Sequence, residues 1–291
     1  MRALIADSGS TKCDWILVDG EGRVLRNFST MGFNPYFHNA ERIISELSVV
    51  AAVEEISSEV THIFFYGAGS CSEAMCSIVR EGLSRVFLGA EIVVDHDLEG
   101  AAYSTYAGEP AITCIIGTGS NSCYFDGTTV SEEVPALAYI LGDEASGSYF
   151  GKKLLAARLY KKLPAVMAAD FDAEFGLDKD DVLARVYRQP DANVFLAGFM
   201  PFIGKFKEEA LVQAWLAEGF DAFIEVHVKC YEGWTERPIH FVGSIGHFFE
   251  RELRMSLDRH GMRCGRIIRK PIDGLVAYHL EHVFPKIEGD V

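Results

Sequence analysis

The chain alternates between short apolar runs that end in small polar loops and longer stretches with apolar residues at helical spacing. In the first half this pattern predicts strands over 2–6, 13–18 and 24–28. A helix follows from about Asn39, with Ile43, Ile44, Leu47, Val50 and Ala51 on one face. A buried strand over 62–66 ends in Gly67-Ala68-Gly69-Ser70. It leads to a helix over 73–86, a strand over 92–94 and a helix over 98–106. The order is β-β-β-α-β-α-β-α.

The second half restates that order. Ile112 to Ile116 form a strand, Gly117-Thr118-Gly119-Ser120-Asn121 a loop, and Ser122 to Phe125 the returning strand, with Asp126-Gly127 as the next turn. Helix is expected over 149–162 and again in an insert over 179–231, interrupted at Pro190 and Pro201. A strand over 239–242 ends in Gly243-Ser244-Ile245-Gly246. Helix to about 260, a strand over 266–269 and a last helix over 272–283 complete the chain. Gly108-Glu109-Pro110 marks the boundary, giving domains 1–108 and 109–291, with the last helix packing back on the first domain.

Both halves open with a strand, a small polar glycine loop and a returning strand. The first such loop is Asp7-Ser8-Gly9-Ser10-Thr11-Lys12. Loops of this kind aim backbone N–H groups at one spot, which favours an anion such as phosphate. Two of them suggest a duplicated unit with a pair of phosphate clamps facing across a cleft, as a nucleoside triphosphate needs.

The chain has 291 residues, 49% of them hydrophobic, enough for a large core and about two domains. Its net charge of −15 argues against a nucleic-acid partner. It still permits ATP, because Mg²⁺ and local dipoles set the field at such a site. Seven cysteines occur without any C-x-x-C spacing, so neither a disulfide framework nor a zinc knuckle is read, and a reducing cytoplasm is expected. No apolar run suits a membrane span, and the opening strand is too short for a signal peptide.

The common nucleotide motifs fail. Gly147-Ser148-Tyr149-Phe150-Gly151-Lys152-Lys153 has one residue too few between its glycines and no hydroxyl after the first lysine. The Gly67 and Gly117 loops have Ser three residues after their second glycine, where a dinucleotide fingerprint wants glycine or alanine. Instead, Asp7 to Lys12, Ile116 to Asn121 and Phe241 to Gly246 resemble the first phosphate, second phosphate and adenosine motifs of the sugar kinase/Hsp70/actin superfamily. Asp97-Leu98-Glu99-Gly100 and Gly142-Asp143-Glu144-Ala145-Ser146 narrow the resemblance to N-acetylglucosamine kinase and the BadF/BadG-type ATPases. It covers nearly the whole chain.

The resemblance implies an α/β fold of two ribonuclease-H-like domains around an ATP cleft. It implies ATP contacts from Asp7, Gly9, Ser10, Thr11, Lys12, Gly117, Thr118 and Gly119, with Gly243 and Ser244 against adenosine. Asp7 would organise Mg²⁺ through water. Asn34, Ser120, Asn121, Asp143 and Glu144 would hold the sugar, and Asp97 would take the proton of the attacking hydroxyl. The implied reaction is ATP-dependent phosphorylation of an amino sugar, at the 6-hydroxyl of N-acetylglucosamine or glucosamine. By analogy the enzyme is a homodimer, with ATP and a small sugar as partners.

Several assignments have local alternatives. Asp7 and Asn34 are also turn formers. Asp97 is also placed to cap the helix that follows it, with Asp95 as the other candidate base. Asp143-Glu144 also suits a helix first turn. The last family motif has Gly-Ala where this chain has Gly274-Leu275, so close helix packing there is in question. The rival functions are an ATPase that activates a partner, as in 2-hydroxyacyl-CoA dehydratase activators, and a non-catalytic sugar-binding protein.

Overall fold

The computed structural model describes residues 1–289, apart from the side chain of Glu288. The chain divides into two compact units, 1–109 with 270–291, and 110–269.

In the first unit, β1 (Arg2–Ser8), β2 (Lys12–Asp19), β3 (Val24–Met31), β4 (His62–Gly67) and β5 (Glu91–His96) form one sheet in the order β3-β2-β1-β4-β5. The hairpin strands β1, β2 and β3 pair antiparallel, while β1, β4 and β5 pair parallel. Ala3, Leu4, Ile5 and Ala6 are all fully buried, as a central strand covered on both faces requires. One face packs against α1 (Ala40–Ser48), α2 (Ala51–Ile56) and α3 (Glu73–Val86) through Leu4, Trp15, Ile43, Leu47, Val79 and Leu83. Asn39 and Ser72 start α1 and α3 by accepting the backbone N–H of Arg42 and Met75. On the other face, alongside α4 (Asp97–Thr105), lie Ala3, Ile5, Ile16, Val18, Phe64 and Tyr66.

The second unit repeats the plan. The strands β6 (Ala111–Ile116), β7 (Ser120–Phe125), β8 (Val130–Ser131), β9 (Ile239–Val242) and β10 (Cys264–Ile268) take the order β8-β7-β6-β9-β10. Position for position this is the first sheet, with the same antiparallel hairpins and parallel return strands. The helices are α5 (Ala138–Leu141), α6 (Gly147–Leu159), α7 (Ala165–Phe175), α8 (Lys179–Tyr187), α9 (Ala192–Ala197), α10 (Met200–Lys205) and α11 (Ala210–Phe223), the last continuing into a π-helical turn at Ile224–Val228. After β9 come α12 (Ser244–Phe248) and α13 (Glu250–Arg259).

The helical stretch of the insert therefore starts earlier than position 179. Pro164 precedes α7 and the left-handed Gly176 ends it, while Met167 and Phe171, four apart, bury its inner face. Pro201 follows the break at Gly198-Phe199 that separates α9 from α10, and it lies in the first turn of α10, where no N–H is needed.

The final segment, α14 (Ile272–Tyr278), a π-helical turn at His279–Val283 and α15 (Phe284–Gly289), belongs to the first unit. Leu275 is fully buried there, beside Ile272 and Phe284. A Cβ on Gly274 would lie 2.3 Å from the Ser104 carbonyl oxygen, so α14 crosses α4 at backbone contact. The change to Gly274-Leu275 thus retains close packing. Among the described residues no helix is long and apolar enough to cross a membrane.

Candidate active site

In the first unit the site grows from the β1–β2 hairpin. Antiparallel register pairs Asp7 with Asp14, and Asp14 in turn with Ser29, so all three share one face at the end of the sheet. Asp14 Oδ1 accepts the Ser29 hydroxyl at 2.7 Å and lies 2.6 Å from Lys12 Nζ, while Lys270 Nζ lies 2.9 Å from Oδ2. Desolvation raises the Asp14 pKa, but hydrogen bonds from Lys12, Ser29 and Lys270 outweigh it and hold the carboxyl below its usual range. Asp7 has no such compensation. Burial, then the charges of Asp97 and Asp14, push its pKa up to about 7, with Lys270 partly opposing.

Asp97 is the first helical residue of α4; His96 holds the N-cap position without a side-chain cap bond. Capping does not account for Asp97. Its Oδ1 lies 3.1 Å from His96 Nε2, and the partial positive charge of the helix start is beside it. Asp95 is perturbed by burial and, in the lowering direction, by Arg80 of α3. Asp97, rather than Asp95, is the carboxylate that acts most strongly on Asp7.

Asn34 and the Gly67-Ala68-Gly69 turn fit together. Asn34 Oδ1 accepts the Tyr36 N–H at 3.0 Å, and a Cβ on Gly69 would lie 2.4 Å from that same oxygen. Turn chemistry thus occupies Oδ1, while Nδ2 has no hydrogen bond within the described residues.

The second unit places its loop on a helix start. The N–H groups of Gly147 and Ser148, in the first turn of α6, donate to the carbonyls of Gly117 and Thr118 at 2.8 and 3.1 Å. The opening N–H of each glycine loop is used internally, Gly9 to Lys12 O at 3.0 Å and Gly117 to Gly119 O at 2.9 Å. The expected convergence of N–H groups therefore excludes these two. Gly243 has φ +119°, and a Cβ on it would lie 2.4 Å from the Ile116 carbonyl oxygen. The turn that carries Gly243 and Ser244 so passes against the base of the Gly117 loop.

Asp143 and Glu144 precede α6 rather than forming its first turn; Ser146 is the cap, accepting the Tyr149 N–H at 3.2 Å. Asp143 and Ala145 both hold left-handed backbone, at φ 57° and 58°, a conformation uncommon outside glycine and frequent at functional sites. Ser120 anchors them. Its N–H donates to Asp143 Oδ1 at 3.2 Å and its hydroxyl to the Glu144 carbonyl at 2.7 Å. The Ser120 hydroxyl proton is therefore engaged within the protein, which leaves its oxygen to act towards a ligand only as an acceptor. Burial raises the Asp143 pKa, against the Ser120 N–H and Lys152. Asn121 Oδ1 accepts the Ser122 N–H at 2.8 Å, leaving Nδ2 unused by the described residues, as in Asn34.

Three residues of these clusters escaped sequence reasoning. Asp14 was detectable, because the hairpin register that fixes Asp7 also fixes its partner. Lys270 and His227 carry no local signal. His227 Nε2 lies 3.3 Å from Glu144 Oε2, 83 positions away in sequence.

The donor set around Asp7 suits a hard divalent cation. The charges of Asp97 and Asp14 add to burial in pushing the Asp7 pKa up to about 7. Among the described residues no cluster of three side chains could hold a metal directly. Mg²⁺ commonly keeps several waters and takes phosphate oxygens, so one carboxylate with its neighbours fits it.

No protein-family model and no curated protein matches the sequence. Solved structures do. A ROK-family glucokinase from Streptomyces griseus, in complex with glucose and AMPPNP, has TM-score 0.54 and 16% identity over 96% of this chain and 98% of its own. A proposed N-acetylglucosamine kinase from Chromobacterium violaceum has TM-score 0.73 and 17% identity over 95% and 98%. At these identities the likeness is one of fold. A proposed N-acetylglucosamine kinase from Porphyromonas gingivalis has TM-score 0.91 and 36% identity over 96% of this chain and 99% of that one. That likeness, in sequence and fold over nearly both whole chains, shows that this chain belongs to the same family of sugar kinases.

Proposed function

We propose that the protein transfers the γ-phosphoryl group of ATP to the 6-hydroxyl of an amino sugar, N-acetylglucosamine or glucosamine. The observation that carries this reading is the 36% identity with the Porphyromonas gingivalis protein, itself proposed to be an N-acetylglucosamine kinase. We place the chain with the BadF/BadG-type ATPases and read it as a cytoplasmic homodimer. Seven free thiols agree with a reducing compartment.

In this reading Asp97 accepts the proton of the attacking hydroxyl, with His96 steadying its carboxylate. Positioned general bases typically contribute about 10²–10⁴-fold. Asp7 would hold Mg²⁺ through water, and the ion would supply neutralising charge to the phosphates. Thr11, Lys12 and the Gly9-Ser10 backbone, with Gly117, Thr118 and Gly119, contact phosphate, and Gly243 and Ser244 lie against adenosine. The Asn34 and Asn121 amides, with Asp143 and Glu144, bond the sugar. Short polar side chains fixed by their own backbone bonds lose little entropy on binding.

A partner-activating ATPase is less well supported. Such activators hold an iron–sulfur cluster between subunits, and Cys114 and Cys123 beside the second loop are completely buried in the core.

The test is an ADP-release assay across hexoses and amino sugars. Release dependent on N-acetylglucosamine or glucosamine, and abolished by a 6-deoxy analogue, is the expected result. Sugar-independent ATP hydrolysis alone would overturn the reading.

A further inference from the structure

His227 is completely enclosed, and nothing about the reaction yet uses it. It lies in the π-helical turn at Ile224–Val228, closed by Lys229 N–H donating to the Ile224 carbonyl at 3.0 Å. Its ring stacks on Phe223 at 4.9 Å between centroids, with 2% of the residue exposed. Nε2 meets Glu144 Oε2 at 3.3 Å, and Nδ1 is buried with no hydrogen-bond partner. The π-turn forms the C-terminal end of α11 and so fixes where the ring of His227 sits.

These contacts settle the tautomer. A proton on Nδ1 would be a buried donor without an acceptor, and bare Nε2 would face a carboxylate. The neutral ring therefore carries its proton on Nε2 and donates it to Glu144. A second proton would be stranded on Nδ1. Burial accordingly lowers the His227 pKa, although Glu144 pulls the other way. His227 is thus a fixed donor.

The loop it holds needs holding. Asp143 and Ala145, either side of Glu144, both carry left-handed backbone. Such conformations persist where surrounding contacts over-determine them. Ser120 supplies two bonds, to Asp143 Oδ1 and the Glu144 carbonyl. The Glu144 side chain would otherwise be tied by neither.

We propose that His227 is a positioning residue for the acceptor sugar. By fixing the Glu144 carboxylate, it locks residues 142–146 in the shape that presents Asp143 and Glu144 to the sugar hydroxyls. This deepens the sugar-kinase reading and rests on it for the identity of the ligand.

His227→Phe keeps the stacked ring and removes the donor; His227→Gln returns an amide N–H at about the reach of Nε2. The expected result is a rise of about ten- to a hundredfold in the sugar KM of His227→Phe, the scale of a lost bond to a charged group. The ATP KM should stay within about twofold, and His227→Gln should recover most of the loss. In a Glu144→Gln background His227→Phe should add little. A merely structural histidine would move both KM values together through instability. That outcome, or an unchanged sugar KM, overturns the proposal. Amide exchange over 142–146 decides the matter without any substrate. Faster exchange in folded His227→Phe supports the lock, and unchanged exchange refutes it. If the wild type phosphorylates no sugar yet exchange rises, the sugar reading fails while the lock stands.

Discussion

Asp7 and Asp14 are direct cross-strand partners in the β1–β2 hairpin, yet their carboxyl groups shift in opposite directions. Asp14 is held low by Lys12, Ser29 and Lys270, and Asp7 is pushed up to about 7 by burial and by Asp97 and Asp14. The contrast predicts a specific pH dependence. Between about pH 4 and 7 folded Asp7 retains a proton that the unfolded chain has released, so its contribution to stability falls as pH rises through that window and levels off above it. Asp7→Asn removes this term. The melting temperature of Asp7→Asn minus that of the wild type should therefore climb from pH 4 to 7 and then flatten. A difference independent of pH would refute the assignment.

Asp97→Asn should lower kcat by about 10²–10⁴-fold and leave sugar and nucleotide binding near wild type. Asp95→Asn, which changes a carboxylate influenced by Arg80, should cost far less. Steady-state rates of the two variants, with calorimetric sugar binding, distinguish them; equal losses would show that Asp97 is not the base.

His279 predicts the acid limit of the first unit. Its Nδ1–H donates to the Leu275 carbonyl at 2.8 Å, which leaves Nε2 to accept the Tyr66 hydroxyl at 3.1 Å. Burial lowers its pKa from 6.5 to about 4. The stability this histidine contributes is complete above pH 6.5 and is lost as pH falls to about 4, a change of about 3 kcal/mol from a single group. In urea titrations across this range His279→Gln should lose less stability than the wild type. At pH 7 Tyr66→Phe should cost about 1–3 kcal/mol by leaving Nε2 unpaired.

Two glycines near one turn should respond differently. Gly243→Ala forces a side chain into left-handed backbone and against the Ile116 carbonyl, costing about 1–3 kcal/mol or more and weakening nucleotide binding. Gly246→Ala would meet its nearest neighbours at 3.6 Å, within a helix, and should be close to neutral or mildly stabilising. Melting temperatures and ADP titrations of both variants test this; similar effects would show that backbone conformation at 243 is not the constraint.

What the sequence determined is what short-range physics writes locally. Apolar runs, hairpin turns and helical spacing placed the strands, the two glycine loops and α3, and the matching order of the halves showed the duplication. They also put Asp97 at the end of β5, and hairpin register alone sets Asp7 opposite Asp14. The tertiary structure decided what depends on distant segments packing together. It brought Lys270 to Asp14, His227 to Glu144 and the Gly243 turn to Ile116, and it assigned 270–291 to the first unit. It also set left-handed backbone at Asp143, where aspartate is tolerated, and at Ala145, where no local preference favours it. Residue preferences act over a few positions, whereas these approaches are fixed by how buried surfaces fit, and that fit is a property of the whole fold.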